Sequence, residues 1–231
     1  MKIEVKNVSK SFKEISVLNN INATFENGKI YGLIGRNGSG KSVFLKLLCG
    51  FYKPTSGDIL YDGNSIIKEN IFLPNTRALI EKPNFLPDLS GIDNLRLLAS
   101  IQKRIGDDEI ISTLKRVNLL KEKDKKYCKY SLGTKQKLGI AQVLMENPEV
   151  MIFDEPLNGI EKETAEKVRN ILKEEKNKGK IILIASHIKE DIEDLADIIY
   201  EFDGGNIILK KNWTQMMFNF LCILEIKCYI F

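Results

Sequence analysis

A glycine-rich turn of the sequence, GRNGSGKS, combines residue types that are suited to holding phosphate groups. It lies between the apolar run KIYGLI and the run VFLKLLCG, which has helical spacing. Glycines allow successive backbone N–H groups to turn inward around a phosphate, and the N-terminus of the following helix adds partial positive charge. The turn matches G-x-x-x-x-G-K-[ST] in full, in the strand–turn–helix context that this pattern requires. A glycine-rich turn that binds nothing is the weaker alternative.

The side chains at the end of this turn have expected roles with a nucleoside triphosphate. Lys41 is expected to reach the β- and γ-phosphates and to take part in catalysis, and the Ser42 hydroxyl is expected to hold Mg²⁺. The residues predicted to bind the nucleotide here are Gly35, Arg36, Asn37, Gly38, Ser39, Gly40, Lys41, Ser42 and Val43.

Two adjacent carboxylates follow an apolar run later in the chain. The run 150–153 reads as a buried strand, and Asp154 and Glu155 come directly after it. Charged groups at the end of a buried strand are costly unless they have a function at the sheet edge, which is where ligands bind in α/β proteins. Asp154 is expected to support Mg²⁺ through water, and Glu155 to orient or deprotonate the attacking water. A plain strand-to-loop boundary is the alternative.

The order of elements predicts an α/β fold with a mostly parallel sheet covered by helices. Two early strands, EVKNVSKSF and INATF, predict an antiparallel β subdomain. Apolar strands then alternate with helices, and HIKEDIEDLA reads as the last of these helices. Residues from about 82 to 135 contain helical patterns without strands, so they are expected to form an inserted helical subdomain.

Composition excludes several classes of function. The 231 residues are 43% hydrophobic and 29% charged, which is typical of a globular protein. The net charge of +4 is too small to indicate nucleic-acid binding. The four cysteines form no CxxC pair and are expected to be reduced thiols, and a single histidine argues against a His-based zinc site. The apolar tail, 211–231, is interrupted by polar residues and too short to cross a bilayer; its role is open between a packed strand, a dimer contact and a truncated or frame-shifted end.

Further motifs, in a fixed order, give the chain a family resemblance. Phe12 lies in SKSF; the segment YSLGTKQ, 130–136, stands ahead of a long helix; PLNGIE follows Glu155; and His187 follows the strand IILIAS. In this order, residues 1–210 resemble the nucleotide-binding subunit of ABC transporters. The resemblance implies the ABC ATPase fold, a P-loop NTPase fold, and ATP hydrolysis coupled to transport through a separate membrane permease.

The resemblance also implies roles for residues outside the two central motifs. Phe12 occupies the position of an aromatic residue that stacks on adenine, and His187 that of a histidine that contacts the γ-phosphate. Ser131 and Gly133 correspond to a signature motif that contacts ATP bound by a second chain, so a homodimer or heterodimer is implied. From the residues alone, Ser131 can equally be a helix cap, and His187 a cap or a satisfied core histidine.

Several positions depart from the usual family pattern. Leu132 and Thr134 replace a Gly and a Gln of the signature, Glu161 replaces an aspartate, and Glu81 stands where most members have a glutamine that bridges Mg²⁺ and the coupling surface. The segments around Glu81 and the signature resemble the bacitracin and lantibiotic branch of the family. We therefore expect Glu81 still to ligate Mg²⁺.

The leading hypothesis is an ATPase subunit that is peripheral on the cytoplasmic face of the membrane and powers export of an antibiotic peptide or similar amphiphile. Phe85 and Leu86 are candidates for the permease contact, although both can equally pack within their loop. A soluble ABC-type regulatory ATPase and a weakly active half of a heterodimer are the alternatives. No nucleic-acid partner is expected. The transported substrate is not readable from this chain, because the permease sets it.

Overall fold

The structure of the protein is a computed structural model that describes residues 1–212. The apolar tail predicted at 211–231 lies outside the described residues, except that Lys211 and Asn212 end the backbone of the last strand. In the described part of the chain, no helix is both long and apolar enough to span a membrane.

Ten strands and six α-helices make up the described chain. The strands are β1 (Lys2–Phe12), β2 (Ile15–Glu26), β3 (Lys29–Ile34), β4 (Ser56–Tyr61), β5 (Asn64–Ser65), β6 (Thr76–Leu79), β7 (Val150–Asp154), β8 (Ile181–Ser186), β9 (Ile198–Asp203) and β10 (Asn206–Asn212). The helices are α1 (Lys41–Leu48), α2 (Gly91–Gln102), α3 (Asp107–Arg116), α4 (Leu132–Leu144), α5 (Lys162–Asn177) and α6 (Glu190–Glu193).

The central sheet has six strands in the order β10-β9-β3-β8-β7-β6. All neighbouring pairs are parallel except β9 and β10, so the prediction of a mostly parallel sheet is confirmed. Every residue of β7 and β8 is buried, as expected for parallel strands covered on both faces. The register pairs Ile34 with Ser186 and Asp154 with Ala185. The carboxyl ends of β3, β7 and β8 therefore meet at one edge.

A second, antiparallel sheet has the order β2-β1-β4-β5. The register between β1 and β2 shifts three times between Val5 and Ser11, which marks bulges along this long ribbon. Its inner side chains share a core with α1 and with one face of the central sheet, including Phe25, Tyr31 and Phe44. Helix α1 is thus held between the two sheets, which fixes the turn that precedes it.

The helical segment packs on the other face of the central sheet. Leu95 of α2, Leu114 of α3 and Leu138 of α4 are fully buried in one core cluster with residues of β7 and β8. Helix α2 is capped by Ser90, whose hydroxyl accepts a hydrogen bond from the Asp93 N–H at 3.2 Å. The helices predicted here are present, while the subdomain boundaries of 82–135 stay a prediction.

The last helix is shorter than the sequence predicts. The pattern HIKEDIEDLA favours a ten-residue helix, but α6 covers only Glu190–Glu193. The chain leaves the helix because Asp197 is tied to β3: its N–H donates to the Ile30 carbonyl at 2.9 Å, and its carboxylate accepts from the Ile30 N–H at 2.8 Å. These bonds lead the chain into β9 and prevent another helical turn.

A buried carboxylate joins α3 to the end of α5 and to the residue that precedes β8. Glu175 is 1% exposed and contacts three cations: Arg116 at 2.8 Å, Lys178 at 2.8 Å and Lys180 at 2.5 Å. Burial by itself raises the pKa of Glu175, but the hydrogen bonds and charges of these three cations outweigh it and lower the pKa to about 2. The helical segment is therefore anchored to the core through a charge cluster as well as through apolar packing.

Replacing Glu175 by Gln is expected to lower the free energy of unfolding by about 3 kcal/mol at neutral pH, because Lys180 is left buried without its carboxylate. Glu174→Gln is the matched control. The Glu174 side chain is 63% exposed and pairs with the same Arg116, so its loss should cost less than about 1 kcal/mol. Urea denaturation of the parent and both variants measures the two effects.

The pH dependence of the Glu175→Gln effect gives a second readout from the same experiment. Because the folded-state pKa lies below the ordinary value of 4.5, the stabilisation is complete above that value and is lost as the pH falls towards 2. The stability difference between parent and variant should therefore shrink from about pH 5 to pH 3.5. A difference that stays constant over this interval would contradict the assignment.

Candidate functional site

The glycine-rich turn follows β3 and leads directly into α1. Gly35 has a φ of +151° and Gly40 a φ of +106°, conformations that L side chains rarely adopt. A Cβ on Gly35 would lie 2.4 Å from the Phe202 carbonyl oxygen, and a Cβ on Gly40 would lie 2.7 Å from Leu18 Cδ2. The turn is thus packed tightly against β2 and β9, and neither position has room for a side chain.

Two polar side chains point into this turn. Lys41 is buried, and its Nζ donates to the carbonyl oxygens of Gly35 at 2.6 Å and Arg36 at 3.2 Å. Burial lowers the pKa of Lys41, while the charges of Asp154 and Glu155 oppose this shift. The Ser39 hydroxyl is buried and has no hydrogen-bond partner among the described residues. A buried, unpaired hydroxyl beside an ammonium group fits a turn that is shaped for an anionic ligand.

Asp154 lies at the edge of the sheet beside α1. It is 5% exposed; burial raises its pKa, the Ser42 hydroxyl lowers it, and the neighbouring Glu155 charge raises it further. A hydroxyl and a carboxylate are oxygen ligands of the kind that Mg²⁺ prefers, and Mg²⁺ usually completes its shell with water and phosphate oxygens. No cluster of three or more His, Cys, Asp or Glu side chains suited to a metal occurs within residues 1–212. The donors present therefore fit a magnesium ion that is shared with a nucleotide.

Glu155 is fixed by contacts from two neighbouring elements. Its N–H donates to the Ala185 carbonyl at 2.9 Å, and its carbonyl accepts from Gln136 Nε2 at 2.9 Å. Its Oε1 accepts from the His187 N–H at 2.9 Å and lies 2.8 Å from His187 Nδ1, and Ser186 Oγ donates to Oε2 at 3.2 Å. A carboxylate held in this way beside a histidine is suited to orient a water and accept its proton.

Glu81, the sequence-predicted magnesium ligand, lines the same cleft, and its carboxylate is paired with a cation of α1. Its backbone N–H interacts with the Asp154 carboxylate, and it has a φ of +63°. Its side chain, 65% exposed, forms an ion pair with Lys46 of α1. The main chain of Glu81 is thus adjacent to the candidate metal ligands, whereas its side chain is paired with a cation.

A cleft of about 670 Å³ opens above the turn, large enough for a nucleotide. It is lined by Val17, Asn37, Gly38, Ser39, Gly40, Lys41, Ser42, Val43, Glu81, Lys82, Leu132, Gln136, Asp154, Glu155 and Asn158. The structure therefore brings together most of the predicted phosphate-binding residues, both carboxylates and Glu81.

Ser131 and Gly133 line a different depression. This smaller hollow, of about 270 Å³, also includes Gly159 and Glu161 of the segment PLNGIE. Ser131 caps α4, since its hydroxyl accepts from the Thr134 N–H at 3.2 Å. A Cβ on Gly133 would lie 2.8 Å from the Gly159 carbonyl oxygen, so the two segments pack closely. The cap interpretation of Ser131 is confirmed. Ser131 and Gly133 do not line the cleft, whereas Leu132 between them lines both the hollow and the cleft.

Phe12 is not among the residues that line the cleft. Its ring is 38% exposed at the end of β1 and contacts the Tyr52 ring edge-to-face, with centroids 5.2 Å apart. Lys10 Nζ lies 4.9 Å from the centroid of Phe12. Phe12 is therefore an exposed aromatic side chain that leaves part of its surface open for stacking.

The two predicted permease contacts, Phe85 and Leu86, both lie in the loop after β6 but differ in how deeply they are buried. Phe85 packs against the core cluster of the helical segment and contacts the Tyr127 ring at 5.3 Å. Leu86 is 50% exposed. Of the two side chains, Leu86 offers the larger apolar surface to a partner.

The cleft and its motifs have counterparts in known proteins. The family model described as ABC transporter matches residues 18–158. An ABC transporter ATP-binding protein of Bacillus subtilis is 42% identical over 89% of this chain and 94% of its own length. The chain belongs to the ABC transporter family. It is an ATP-binding subunit of this family and an ATPase, as the motifs predicted.

Two further ABC relatives carry names from antibiotic transport. A bacitracin transport ATP-binding protein of Enterococcus faecalis is 37% identical and aligns with 93% of this chain and 70% of its own length. A lantibiotic transport ATP-binding protein of Streptococcus pyogenes is 35% identical over 91% of each chain. The resemblance to this branch of the family is confirmed.

Solved ABC cassettes share the fold. A dimeric cassette in a post-hydrolysis state with ADP and phosphate superposes with a TM-score of 0.83, covering 90% of this chain and 98% of that one, at 23% identity. The predicted ABC ATPase fold is confirmed by this likeness.

Sequence reasoning missed three residues of the site. Gln136 is buried and bonds to the Glu155 backbone, Asn158 lines the cleft, and Lys46 pairs with Glu81. A polar residue that follows a signature serine on the buried face of α4 was the available signal for Gln136. For Lys46 the signal was its spacing, four residues after Ser42 on the same helix face.

Two alanine substitutions in the turn are expected to separate backbone strain from steric exclusion. Gly40→Ala should abolish measurable ATP binding, because its Cβ meets Leu18 at 2.7 Å and the Val17 carbonyl oxygen at 3.1 Å. Gly38→Ala is the matched control: Gly38 also has a positive φ, +80°, but no atom lies within 4 Å of its Cβ. It should cost roughly 1–2 kcal/mol of strain and weaken binding only about tenfold. Fluorescent ATP-analogue titration measures both, and equal losses would contradict this account.

Proposed function

We propose that this ABC subunit binds Mg²⁺-ATP in the cleft above α1, with the turn 35–43 around the phosphates. Lys41 is the cation nearest to the phosphates, and its ammonium group exchanges its carbonyl contacts for phosphate oxygens. Ser42 and Asp154 hold the magnesium ion, with Glu81 as an additional oxygen ligand. The unpaired, buried Ser39 hydroxyl supports this proposal, since a phosphate oxygen would satisfy it.

Glu155 is proposed as the group that orients the attacking water and accepts its proton. His187 contacts Oε1 of Glu155 and is proposed to contact the γ-phosphate. The contact of 2.8 Å between Glu155 and His187 Nδ1 supports a joint role, because each side chain limits the orientation of the other. Phe12 is proposed to stack on the adenine.

The absence of Ser131 and Gly133 from the lining of the cleft is the observation that supports a two-chain site. They share a hollow with the segment that contains Gly159, and Leu132 between them lines both that hollow and the cleft. A site that needs both surfaces is completed when a second chain turns its signature towards the first. We propose head-to-tail pairing of two such subunits, either identical or closely related, with one ATP at each composite site.

We propose that ATP-driven pairing and separation of these subunits power a separate membrane permease, at the cytoplasmic face of the membrane. The names of the bacitracin and lantibiotic relatives favour export of an antibiotic peptide or similar amphiphile. Leu86 and its loop, which follows Glu81 directly, are proposed to contact the permease. A movement of Glu81 would then be transmitted to the permease through the few residues between Glu81 and Leu86.

Glu155→Gln is expected to lower the ATP turnover rate by at least about 100-fold while leaving ATP binding intact. The amide keeps the shape of the side chain but cannot accept a proton, so ATP should hold two chains together as a stable dimer. Size-exclusion chromatography with and without Mg²⁺-ATP measures the dimer, and phosphate release measures turnover.

Ser131→Arg in the Glu155→Gln background is the control for this dimer. An arginine at the signature should block pairing through this surface, and each chain should still bind ATP. Turnover by Glu155→Gln at the parent rate would show that Glu155 is not the base. A dimer that survives Ser131→Arg would show that pairing uses another surface.

The transport proposal predicts antibiotic protection that depends on hydrolysis. Cells that express the chain together with its partner permease should have higher minimal inhibitory concentrations of bacitracin or a lantibiotic than cells with the same permease and the Glu155→Gln chain. The membrane protein expressed alone is the control. Equal protection by parent and Glu155→Gln chains would contradict ATP-driven export.

A further inference from the structure

Glu81 lines the same cleft as the candidate magnesium ligands, and its carboxylate is paired with a cation of α1. The backbone N–H interacts with Asp154, and the residue lines the same cleft as Ser42. Its carboxylate is nevertheless paired with Lys46. The Glu81 side chain is 65% exposed, so packing restricts it little and the ion pair is the contact that holds its carboxylate.

Lys46 lies on the helix that supplies the magnesium-binding hydroxyl. Ser42 and Lys46 are four residues apart in α1, so they share one face and their side chains are neighbours at about 5–6 Å. A carboxylate that leaves Lys46 for a cation at Ser42 therefore moves by about one helical turn, which is within the reach of a glutamate side chain.

The ammonium group of Lys46 is itself held in position. The side chain is 21% exposed, and its Nζ lies 5.8 Å from the centroid of the Tyr52 ring. Tyr52 in turn contacts Phe12, the proposed adenine-stacking residue, with ring centroids 5.2 Å apart. The aromatic ring restricts Lys46, so the cation stays beside Glu81 instead of extending into solvent.

We propose that Lys46 is a positioning residue that holds the Glu81 carboxylate away from the magnesium position until Mg²⁺-ATP competes for it. This inference rests on the proposed function, in which Glu81 is a ligand of the nucleotide-bound ion. Exchange of the carboxylate between Lys46 and the ion shifts the Glu81 side chain. The loop that continues to Leu86 is therefore anchored through Glu81 to Lys46 in the nucleotide-free subunit and to the ion in the nucleotide-bound subunit.

The test is the magnesium enhancement of ATP binding, defined as the dissociation constant of a fluorescent ATP analogue in EDTA divided by that in Mg²⁺. Lys46→Met keeps the apolar stem and removes the charge. It should raise the enhancement roughly two- to fivefold, the range that loss of a competing exposed ion pair allows. Lys46→Arg keeps the pair and should behave like the parent.

The competition requires Glu81, and a double variant tests this point. Glu81→Ala should lower the enhancement by removing the oxygen ligand, and Lys46→Met should have no further effect in that background. Lys167→Met is the charge control, because Lys167 forms an exposed ion pair with Glu163 on α5 and does not line the cleft. It should leave the enhancement unchanged. Thermal unfolding of each variant checks that the fold is intact.

Other outcomes would overturn the inference in distinct ways. If Lys46→Met raises the enhancement equally in the parent and in the Glu81→Ala background, the effect is general charge removal and Lys46 does not position Glu81. If Lys46→Met leaves the enhancement at the parent value, no competition exists. If Glu81→Ala leaves it at the parent value, Glu81 is not a ligand, although ATP binding by the turn stands. A parent chain that does not bind the analogue would instead overturn the proposed function.

Discussion

The parallel pairing of β3 with β8 is the constraint on which the site depends. Its register sets Ile34, which precedes the phosphate-binding turn, beside Ser186, which precedes His187. The adjacent pairing of β7 with β8 brings Asp154 and Glu155 to the same edge. Backbone hydrogen bonds of the sheet thereby bring together three segments that are distant in sequence. The strand register sets the positions of the side chains of Asp154, Glu155 and His187.

The electrostatics of this edge explain why the site needs a ligand. Asp154, Glu155 and Lys41 are charged groups close together at the end of a buried sheet, and the Ser39 hydroxyl is left unpaired. Burial raises the pKa of Asp154, which means that its charged form is disfavoured without a cation nearby. A magnesium ion and a triphosphate would supply the missing positive charge and hydrogen-bond partners. Glu81 at the same cleft has its carboxylate balanced by the Lys46 ammonium group.

Helix α4 contributes residues to two adjoining surfaces. Gly133 and Gly159 approach so closely that the N-terminus of α4 and the segment after Glu155 form one hollow. Leu132 lines both that hollow and the cleft, and Gln136 on the same helix bonds to the Glu155 backbone. Helix α4 therefore connects the cleft to the hollow within one chain.

The sequence by itself determined the features that depend on local spacing. The turn at Gly35–Ser42, the apolar strand before Asp154 and the histidine after IILIAS were readable because strand–turn–helix geometry is set within a few residues. The pairing of Glu81 with Lys46, the bond from Gln136 to Glu155, the early end of α6 and the charge cluster at Glu175 were decided only by the tertiary structure. These contacts join segments far apart in the chain, and which partners meet depends on sheet register and helix packing, which no local pattern encodes.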